Sequence, residues 1–166
     1  MFVLARALTY AVLFVGLVLI VLPWCLLSGS GIARPDTMGP LQVLGLAAAV
    51  VGGVLALWCV LTFTFVGRGT PAPFDPPRRL VIAGPYRCVR NPMYLGAILA
   101  LTGAAGFYES VALLAYACVF SVAIHTFVVW YEEPTLARLF GEGYLAYRSS
   151  VGRWVPRFGR RPLPPH

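Results

Sequence analysis

The stretch "GPYRCVRNPMYLG" (residues 84–96) carries two arginines, Arg87 and Arg90, immediately before a run of apolar residues. Asn91 is a favoured residue at the N-cap of a helix, and Pro92 fits the first helical position, where its missing N–H costs nothing. The stretch therefore predicts that an apolar helix begins after a polar loop. A guanidinium near hydrocarbon is costly, so the polar cluster at this helix entrance is a candidate functional site.

The whole chain has the composition of an integral membrane protein. Of its 166 residues, 59% are hydrophobic and 11% are charged, and the mean hydropathy is +0.79, whereas soluble proteins carry about 25% charged residues. The formal net charge is +7, and every basic residue is arginine. Because no polar face with interleaved aromatic residues accompanies this charge, we assign it to membrane topology and anionic headgroups and expect no nucleic-acid partner.

Four apolar runs around this entrance are candidates for membrane helices. The first, second and fourth are long enough to cross a ~30 Å hydrocarbon core at ~1.5 Å per residue, whereas the third is shorter. The first is also too long for the apolar region of a signal peptide. A short turn separates the third run from the fourth, which predicts a helical hairpin. The runs are residues 7–27, 41–66, 93–107 and 111–131.

Two further features of these runs have structural interpretations. The small residues of "GLAAAVVGG" (45–53) predict the close approach of another helix, and a cofactor role for them is the weaker interpretation because no GxGxxG spacing is present. The cysteines are widely separated and form no CxxC pair, so we expect free thiols and no metal site. They are Cys25, Cys59, Cys88 and Cys118.

The distribution of arginine predicts the orientation in the membrane. Residues 28–40 contain one arginine, residues 67–91 contain five, and six follow residue 131. The positive-inside rule then places the 67–91 loop and both termini in the cytoplasm, which agrees with four crossings. We expect an integral protein of a bacterial or archaeal-type inner, or plasma, membrane.

The segment after Tyr131 predicts an amphipathic helix at the cytoplasmic surface. One face carries apolar side chains, and Arg138 and Glu142 are spaced for an ion pair on another side. Trp154, which has arginines nearby, is typical of an interfacial anchor. The apolar face consists of Leu136, Leu139, Phe140 and Tyr147.

These elements predict an all-α integral membrane fold in a single domain covering residues 1–166. It contains about four transmembrane helices, the short third one paired with the fourth as a hairpin, and a C-terminal amphipathic helix. Residues 1–66 form two N-terminal transmembrane helices, residues 67–157 form the core, and residues 158–166 form a basic, proline-rich tail.

Polar groups near membrane depth occur in two places, residues 87–94 and His125 with Glu132 and Glu133. Because the third run begins on the side where the fourth ends, the topology brings both groups together at the cytoplasmic face. We predict one pocket between the hairpin, the loop and the C-terminal helix. Such a pocket suits a charged cofactor from the cytosol and an apolar acceptor from the bilayer.

Each of these groups also has a structural interpretation. The arginines can serve orientation alone, and the two glutamates can mark the membrane exit or favour the start of the next helix. His125 is either a general base or a structural histidine bonded to a backbone carbonyl. Tyr144 and Tyr147 are packing residues in the simpler interpretation and ligands in the other.

The stretch 84–96, together with "EEPTLARLFGEGYLAYRSSVGRWVPR" (132–157), resembles the isoprenylcysteine carboxyl methyltransferase and phospholipid methyltransferase superfamily. That pattern is GPY-R-x-x-R-[HN]-P-x-Y-x-G at the helix entrance, then a Glu-Glu pair, an F-G-x-x-Y-x-x-Y helix and a basic, proline-containing end. The resemblance covers about residues 67–157. The first two runs resemble the superfamily only as membrane helices.

The resemblance implies a membrane methyltransferase that uses S-adenosylmethionine on the cytoplasmic side and methylates a lipid or a small amphiphilic acceptor from the bilayer. The motif, together with the convergence of polar groups described above, predicts catalytic roles for Arg90, Asn91, His125 and Glu133. Many relatives have histidine at position 91, so the acceptor here needs no base or another group takes the proton. The resemblance places seven residues in the cofactor pocket, namely Arg90, Asn91, Pro92, Tyr94, Gly96, Glu132 and Glu133. The convergence of polar groups adds Arg87 and Tyr144 to the predicted cofactor-binding set.

Two other functions are weighed against this one. Membrane reductases of the sterol-reductase type have a similar C-terminal arrangement and bind a nicotinamide cofactor, but they usually carry an acidic residue soon after the Pro-x-Tyr-x-Gly motif. Here Gly96 is followed by Ala97, Ile98 and Leu99. A non-enzymatic scaffold leaves the polar clusters without a purpose, so methyl transfer is the favoured interpretation.

Overall fold

The computed structural model describes residues 16–32, 35, 37–67 and 79–157. Over these residues the protein is helical and contains no strand, apart from one isolated parallel bridge between Val89 and Gly152. The principal helices are α1 (Leu22–Gly29), α2 (Pro40–Gly67), α3 (Pro92–Phe107), α4 (Val111–Phe127) and α5 (Glu133–Ser150). A π-helical segment (Leu17–Val21) precedes α1, a 3-10 turn (Gly84–Arg87) precedes α3, and a second π-helical segment (Val128–Glu132) joins α4 to α5.

The helices carry the apolar surfaces expected of a membrane protein. Two of them, α2 and the continuous helix Val111–Ser150, are long and apolar enough to cross a membrane, and Leu17–Gly29 and Pro92–Phe107 are shorter apolar helices. Large apolar side chains such as Leu44 and Val119 are each 68% exposed, as lipid contact requires. The all-helical class is confirmed, whereas four crossings stay a prediction. Part of the first predicted span, residues 7–15, lies outside the described residues.

Small residues bring the backbones of α2 and α3 into direct contact, which confirms the interpretation of the glycine- and alanine-rich stretch. A Cβ atom built on Gly52 would lie 2.5 Å from the backbone nitrogen of Ala100 and from the carbonyl oxygen of Gly96. A Cβ on Gly96 would lie 2.7 Å from the carbonyl oxygen of Gly52. Only glycine permits this approach, so these residues fix the position of the α3 entrance against α2.

The predicted hairpin between α3 and α4 is present, but α3 packs most extensively on α2. The turn at residues 108–110 ends in Ser110, whose Oγ accepts a hydrogen bond from the backbone N–H of Leu113 at 3.3 Å. The side-chain amide of Gln42 donates to the Glu109 carboxylate and ties α2 to this turn. The third helix is therefore held mainly by the second, because the glycine contacts allow the closest packing.

Helix α3 begins where the sequence predicts, although its cap differs from expectation. Pro92 occupies the first turn and Asn91 is the N-cap residue. The Asn91 side chain makes no capping hydrogen bond; its amide donates instead to the carbonyl oxygen of Arg153 at 3.3 Å. The polar side chain thus connects the helix entrance to the C-terminal segment.

The predicted C-terminal amphipathic helix is interrupted, which corrects the assignment of one continuous apolar face. Gly141 has φ 51° and ψ −127° inside α5, and this left-handed conformation suits glycine and breaks the helical periodicity. Arg138 donates to Thr135 at 3.4 Å in place of the predicted pair with Glu142. Leu139 is 52% exposed, whereas Tyr144 and Tyr147 are buried in a cluster with Val151.

Candidate functional site

A small cavity lies at the entrance of α3, between the end of α2, the 3-10 turn and the second π-helical segment. Its volume is about 30 Å³, enough for about one water molecule. Aromatic, thioether and polar side chains surround it together. The lining residues are Phe63, Tyr86, Arg90, Asn91, Met93, Tyr94 and Glu132.

Glu132 is the carboxylate of this cavity. The hydroxyl of Tyr94 donates a hydrogen bond to Glu132 Oε2 at 3.0 Å. Glu132 is the last residue of a π-helical segment, and Pro134, which lacks an N–H, follows it in the first turn of α5. The π-helical turn is wider than an α-helical turn and changes the direction of the side chains on it. It also removes the need for a regular hydrogen bond near the proline, which has no N–H to donate. The side chains of Glu132 and Glu133 therefore face different surroundings.

Glu133 has different partners from its neighbour. Its Oε1 is 2.6 Å from Arg90 Nη2 and 2.7 Å from Arg153 Nε, and its Oε2 accepts from Arg153 Nη2 at 2.9 Å. The side chains of Arg90 and Glu133 are each 6% exposed. Arg148 approaches Oε2 at 3.9 Å and is half exposed. Glu133 is therefore a buried anion whose charge is already compensated.

Hydrogen bonds hold the C-terminal segment against the loop that precedes α3. The backbone N–H of Arg90 donates to Gly152 at 2.8 Å, and Arg90 Nη1 donates to the carbonyl oxygens of Arg148 at 3.0 Å and Val151 at 3.3 Å. A Cβ on Gly152 would collide with the carbonyl oxygen of Val155. These contacts hold the Arg90 guanidinium in one position.

The side chains of Arg153 and Tyr86, near the entrance of α3, have raised pKa values. The hydrogen bonds to Glu133 raise the pKa of Arg153, so its guanidinium stays charged. Burial raises the pKa of the Tyr86 phenol well above its usual range, which keeps it neutral. The Tyr86 carbonyl oxygen accepts from the Tyr147 hydroxyl at 2.7 Å, and this bond fixes the 3-10 turn against α5.

A second, larger pocket of about 480 Å³ shares Arg90 with the cavity. It is open to the surface and is dominated by guanidinium groups. Arg157 is fixed at its rim by hydrogen bonds from Nη1 to the carbonyl oxygens of Arg148 and Ser149 at 3.3 and 2.8 Å. The lining residues are Arg90, Leu145, Arg148, Ser149, Arg153 and Arg157; we call this the arginine pocket.

The structure brings together four residues of the predicted site at the cavity, namely Arg90, Asn91, Tyr94 and Glu132. Glu133 lies next to them, in the ion-pair cluster. Pro92 is buried at the start of α3.

The remaining predicted residues are not among those lining the cavity. Arg87 is exposed. Gly96 faces α2 and serves helix packing. Tyr144 is 1% exposed and packs with Tyr147. His125 is exposed, and its Nδ1 accepts a hydrogen bond from Trp154 Nε1 at 3.1 Å rather than bonding a backbone carbonyl.

Several residues of the site were not anticipated from the sequence. Phe63 lies near the end of the second apolar run, between Thr62 and Thr64, and nothing in the sequence marks it as a site residue. Tyr86 and Met93 belong to the quoted stretch, but their part in the cavity depends on how the loop folds. Arg153 is one of the arginines near Trp154, and this adjacency, which is typical of an interfacial anchor, carries no signal of a buried partner.

The fold and the site together define an all-helical membrane protein with a polar cavity at a helix entrance. Residues 41–143 match a family model described as phospholipid methyltransferase. The chain therefore belongs to the phospholipid methyltransferase family, a family of membrane methyltransferases, and the resemblance inferred from the motifs is confirmed.

The chain is also similar to the cobalt-zinc-cadmium resistance protein CzcN of Cupriavidus metallidurans, with 29% identity over 117 residues. The aligned region covers 70% of this chain and 48% of that protein, so the chain spans about half the length of this relative. No solved structure matches the chain. Within the described residues, no group of three or more histidine, cysteine or acidic side chains is placed to bind a metal ion.

Proposed function

We propose that the protein is an integral membrane methyltransferase that transfers a methyl group from S-adenosylmethionine to a lipid or small amphiphile dissolved in the bilayer. The observation that carries the proposal is the hydrogen bond from the Tyr94 hydroxyl to Glu132 Oε2, 3.0 Å long, in a cavity at the entrance of a membrane helix. Membership of a methyltransferase family supports the reaction type. The arginine distribution supports a cytoplasmic opening for this cavity.

The chemistry of the cavity fits the cofactor. A carboxylate at Glu132 can bind an ammonium group or a ribose diol, and the aromatic faces of Phe63 and Tyr86 can contact the base. Helix α3 begins at this cavity without a side-chain cap, so its free N–H groups and positive dipole end favour a carboxylate there. Ligand pockets usually exceed about 300 Å³, so cofactor binding requires the lining side chains to move.

The two adjacent glutamates are assigned different roles. S-adenosylmethionine supplies an electrophilic methyl group on a sulfonium, and the work of the protein is to position the reactants and exclude water. We assign Glu132 to the cofactor, because it faces the cavity. We assign Glu133 to positioning Arg90, because Arg90 and Arg153 already occupy its carboxylate oxygens.

The acceptor chemistry follows from the groups left for proton transfer once Glu132 is assigned to the cofactor. Asn91 stands where many relatives have histidine, and its amide is not a base. His125 does not line the cavity. We therefore propose an acceptor that reacts without losing a proton to a catalytic base, or one that transfers its proton to water after methylation.

Binding and transfer assays test this proposal. Titration calorimetry of the full chain in detergent should show binding of S-adenosylmethionine and of its demethylated product and no binding of NADPH. Incubation with methyl-tritiated S-adenosylmethionine and total membrane lipids should place the label in an extractable lipid. The exposed Glu142→Gln variant is the control, since Glu142 lies beyond the Gly141 break. Binding of NADPH alone would replace the proposal with a reductase function.

A further inference from the structure

We propose that the arginine pocket binds the phosphate group of an anionic membrane lipid at a site separate from the methyl-transfer cavity. Four guanidinium groups, those of Arg90, Arg148, Arg153 and Arg157, line this pocket. Among the described residues, Glu133 is the carboxylate within ion-pair distance of them. Four positive charges against one negative charge leave an excess of about three, which suits a phosphate.

Arg90, which lines the arginine pocket and the cavity, has one unsatisfied buried donor and a guanidinium fixed by protein contacts. The side chain of Arg90 is 94% buried, and its Nε–H has no hydrogen-bond partner among the described residues. Buried polar donors are nearly always hydrogen-bonded. Arg90 is also held by Glu133 and by two carbonyl oxygens, so its guanidinium is preorganised and an anion need not order it.

The surroundings of the pocket favour a lipid as the source of the phosphate. Leu145 lines the pocket and is 53% exposed, and Val155, which lies between Arg153 and Arg157 in the chain, is 69% exposed. Exposed apolar side chains beside guanidinium groups match a headgroup with acyl chains, which a free phosphate does not have. Trp154, in the same segment, adds the aromatic ring typical of a membrane interface.

The pocket is distinct from the proposed methyl-transfer site. The arginine pocket and the cavity that contains Glu132 have only Arg90 in common among their lining residues. An occupant of the arginine pocket therefore need not be the methyl acceptor, and a lipid without an amine can bind there.

Lipid retention tests this site. The full chain is purified in detergent and mixed with phosphatidylglycerol, which has a phosphate and no amine, or with zwitterionic phosphatidylcholine or inorganic phosphate. Native mass spectrometry then measures the bound ligand. We expect the wild type to retain phosphatidylglycerol, and Arg148→Gln with Arg157→Gln to reduce its affinity about tenfold or more.

A matched variant and two further measurements make the result decisive. Arg79→Gln with Arg138→Gln removes the same charge from exposed arginines outside the pocket and should retain phosphatidylglycerol as the wild type does. Thermal unfolding confirms that both variants fold, and S-adenosylmethionine binding of the pocket variant should stay unchanged, so failure here is distinguishable from failure of the proposed function. Equal loss in the two variants, or tighter binding of inorganic phosphate than of phosphatidylglycerol, would overturn the lipid site.

Discussion

Glu132 and Glu133 are adjacent in the sequence, yet their carboxylates lie in opposite environments. Glu132 faces a cavity and accepts a hydrogen bond from the neutral hydroxyl of Tyr94. Glu133 is bound by the guanidinium groups of Arg90 and Arg153. No ion pair of Glu132 is found in the part of the chain that the structure describes. Glu132 therefore keeps the capacity to bind a cationic ligand, and Glu133 does not.

The difference shows how one dipeptide can serve both binding and stability. Consecutive residues of a helix point about 100° apart, and the π-helical segment that ends at Glu132 adds a further displacement. One side chain is thereby directed to the ligand cavity and the other to the arginines that hold the loop before α3. An isolated buried anion is costly, so the second role depends on its partners.

The largest effect is expected where the close contact between α2 and α3 is lost. Gly52→Val places a Cβ about as close as 2.5 Å to the α3 backbone, so α2 and α3 must separate. We expect a loss of about 3 kcal/mol in the free energy of unfolding, measured in detergent. The neighbouring Gly53 has no atom within 4 Å of a built Cβ. Gly53→Val should keep wild-type stability, and equal effects of the two changes would contradict the packing described.

Glu133→Gln removes the charge that compensates Arg90. Breaking a buried ion pair leaves an uncompensated cation, which is strongly destabilising. Because Arg153 can turn toward water, we expect less than the full cost of a broken buried ion pair, namely a loss of about 2–3 kcal/mol in the free energy of unfolding. Chemical denaturation in detergent measures this loss. If the uncompensated guanidinium is the cause, the double variant Arg90→Gln, Glu133→Gln should be more stable than Glu133→Gln alone. A double variant that is less stable than the single one would refute this cause.

A smaller effect is expected for Tyr94→Phe, which removes the hydroxyl that donates to Glu132 and preserves the ring. The expected loss of S-adenosylmethionine affinity is about 1 kcal/mol, or roughly fivefold, because one neutral donor is lost. Calorimetry measures it. Tyr131→Phe, at an aromatic residue of the same segment that does not line the cavity, is the control. Unchanged affinity in Tyr94→Phe would mean that the hydroxyl does not orient the carboxylate.

Local rules in the sequence predicted much of the fold. The start of α3 at Pro92, the turn before α4 and the close packing of small residues all depend on short-range chemistry, and the structure shows each of them. The break at Gly141 was not predicted, since the surrounding residues also fit a continuous amphipathic helix. Its left-handed φ becomes necessary only when the tyrosines that follow pack against Val151.

The site was less predictable, because its partners are distant in the sequence. Glu133 binds Arg90 and Arg153, which are 43 and 20 residues away. The sequence indicates that the glutamates and Arg90 converge, and it favours Glu133 for the cofactor because Pro134 ends regular helix bonding there and can turn its carboxylate toward the hairpin. In the structure Glu132 lines the cavity and Glu133 lies in the ion-pair cluster, and which of the two binds the cofactor stays a prediction. The choice between adjacent carboxylates depends on tertiary contacts that no local pattern contains.

The most direct test of the central claim is the affinity of Glu132→Gln for S-adenosylmethionine, measured by calorimetry beside the wild type and the exposed Glu142→Gln control. Loss of a charge-assisted hydrogen bond predicts a decrease of about 1.5–3 kcal/mol, or roughly 10- to 150-fold, with little change in thermal stability because the isosteric amide still accepts from Tyr94. Wild-type affinity in a folded Glu132→Gln protein would contradict the assignment of this cavity to the methyl donor.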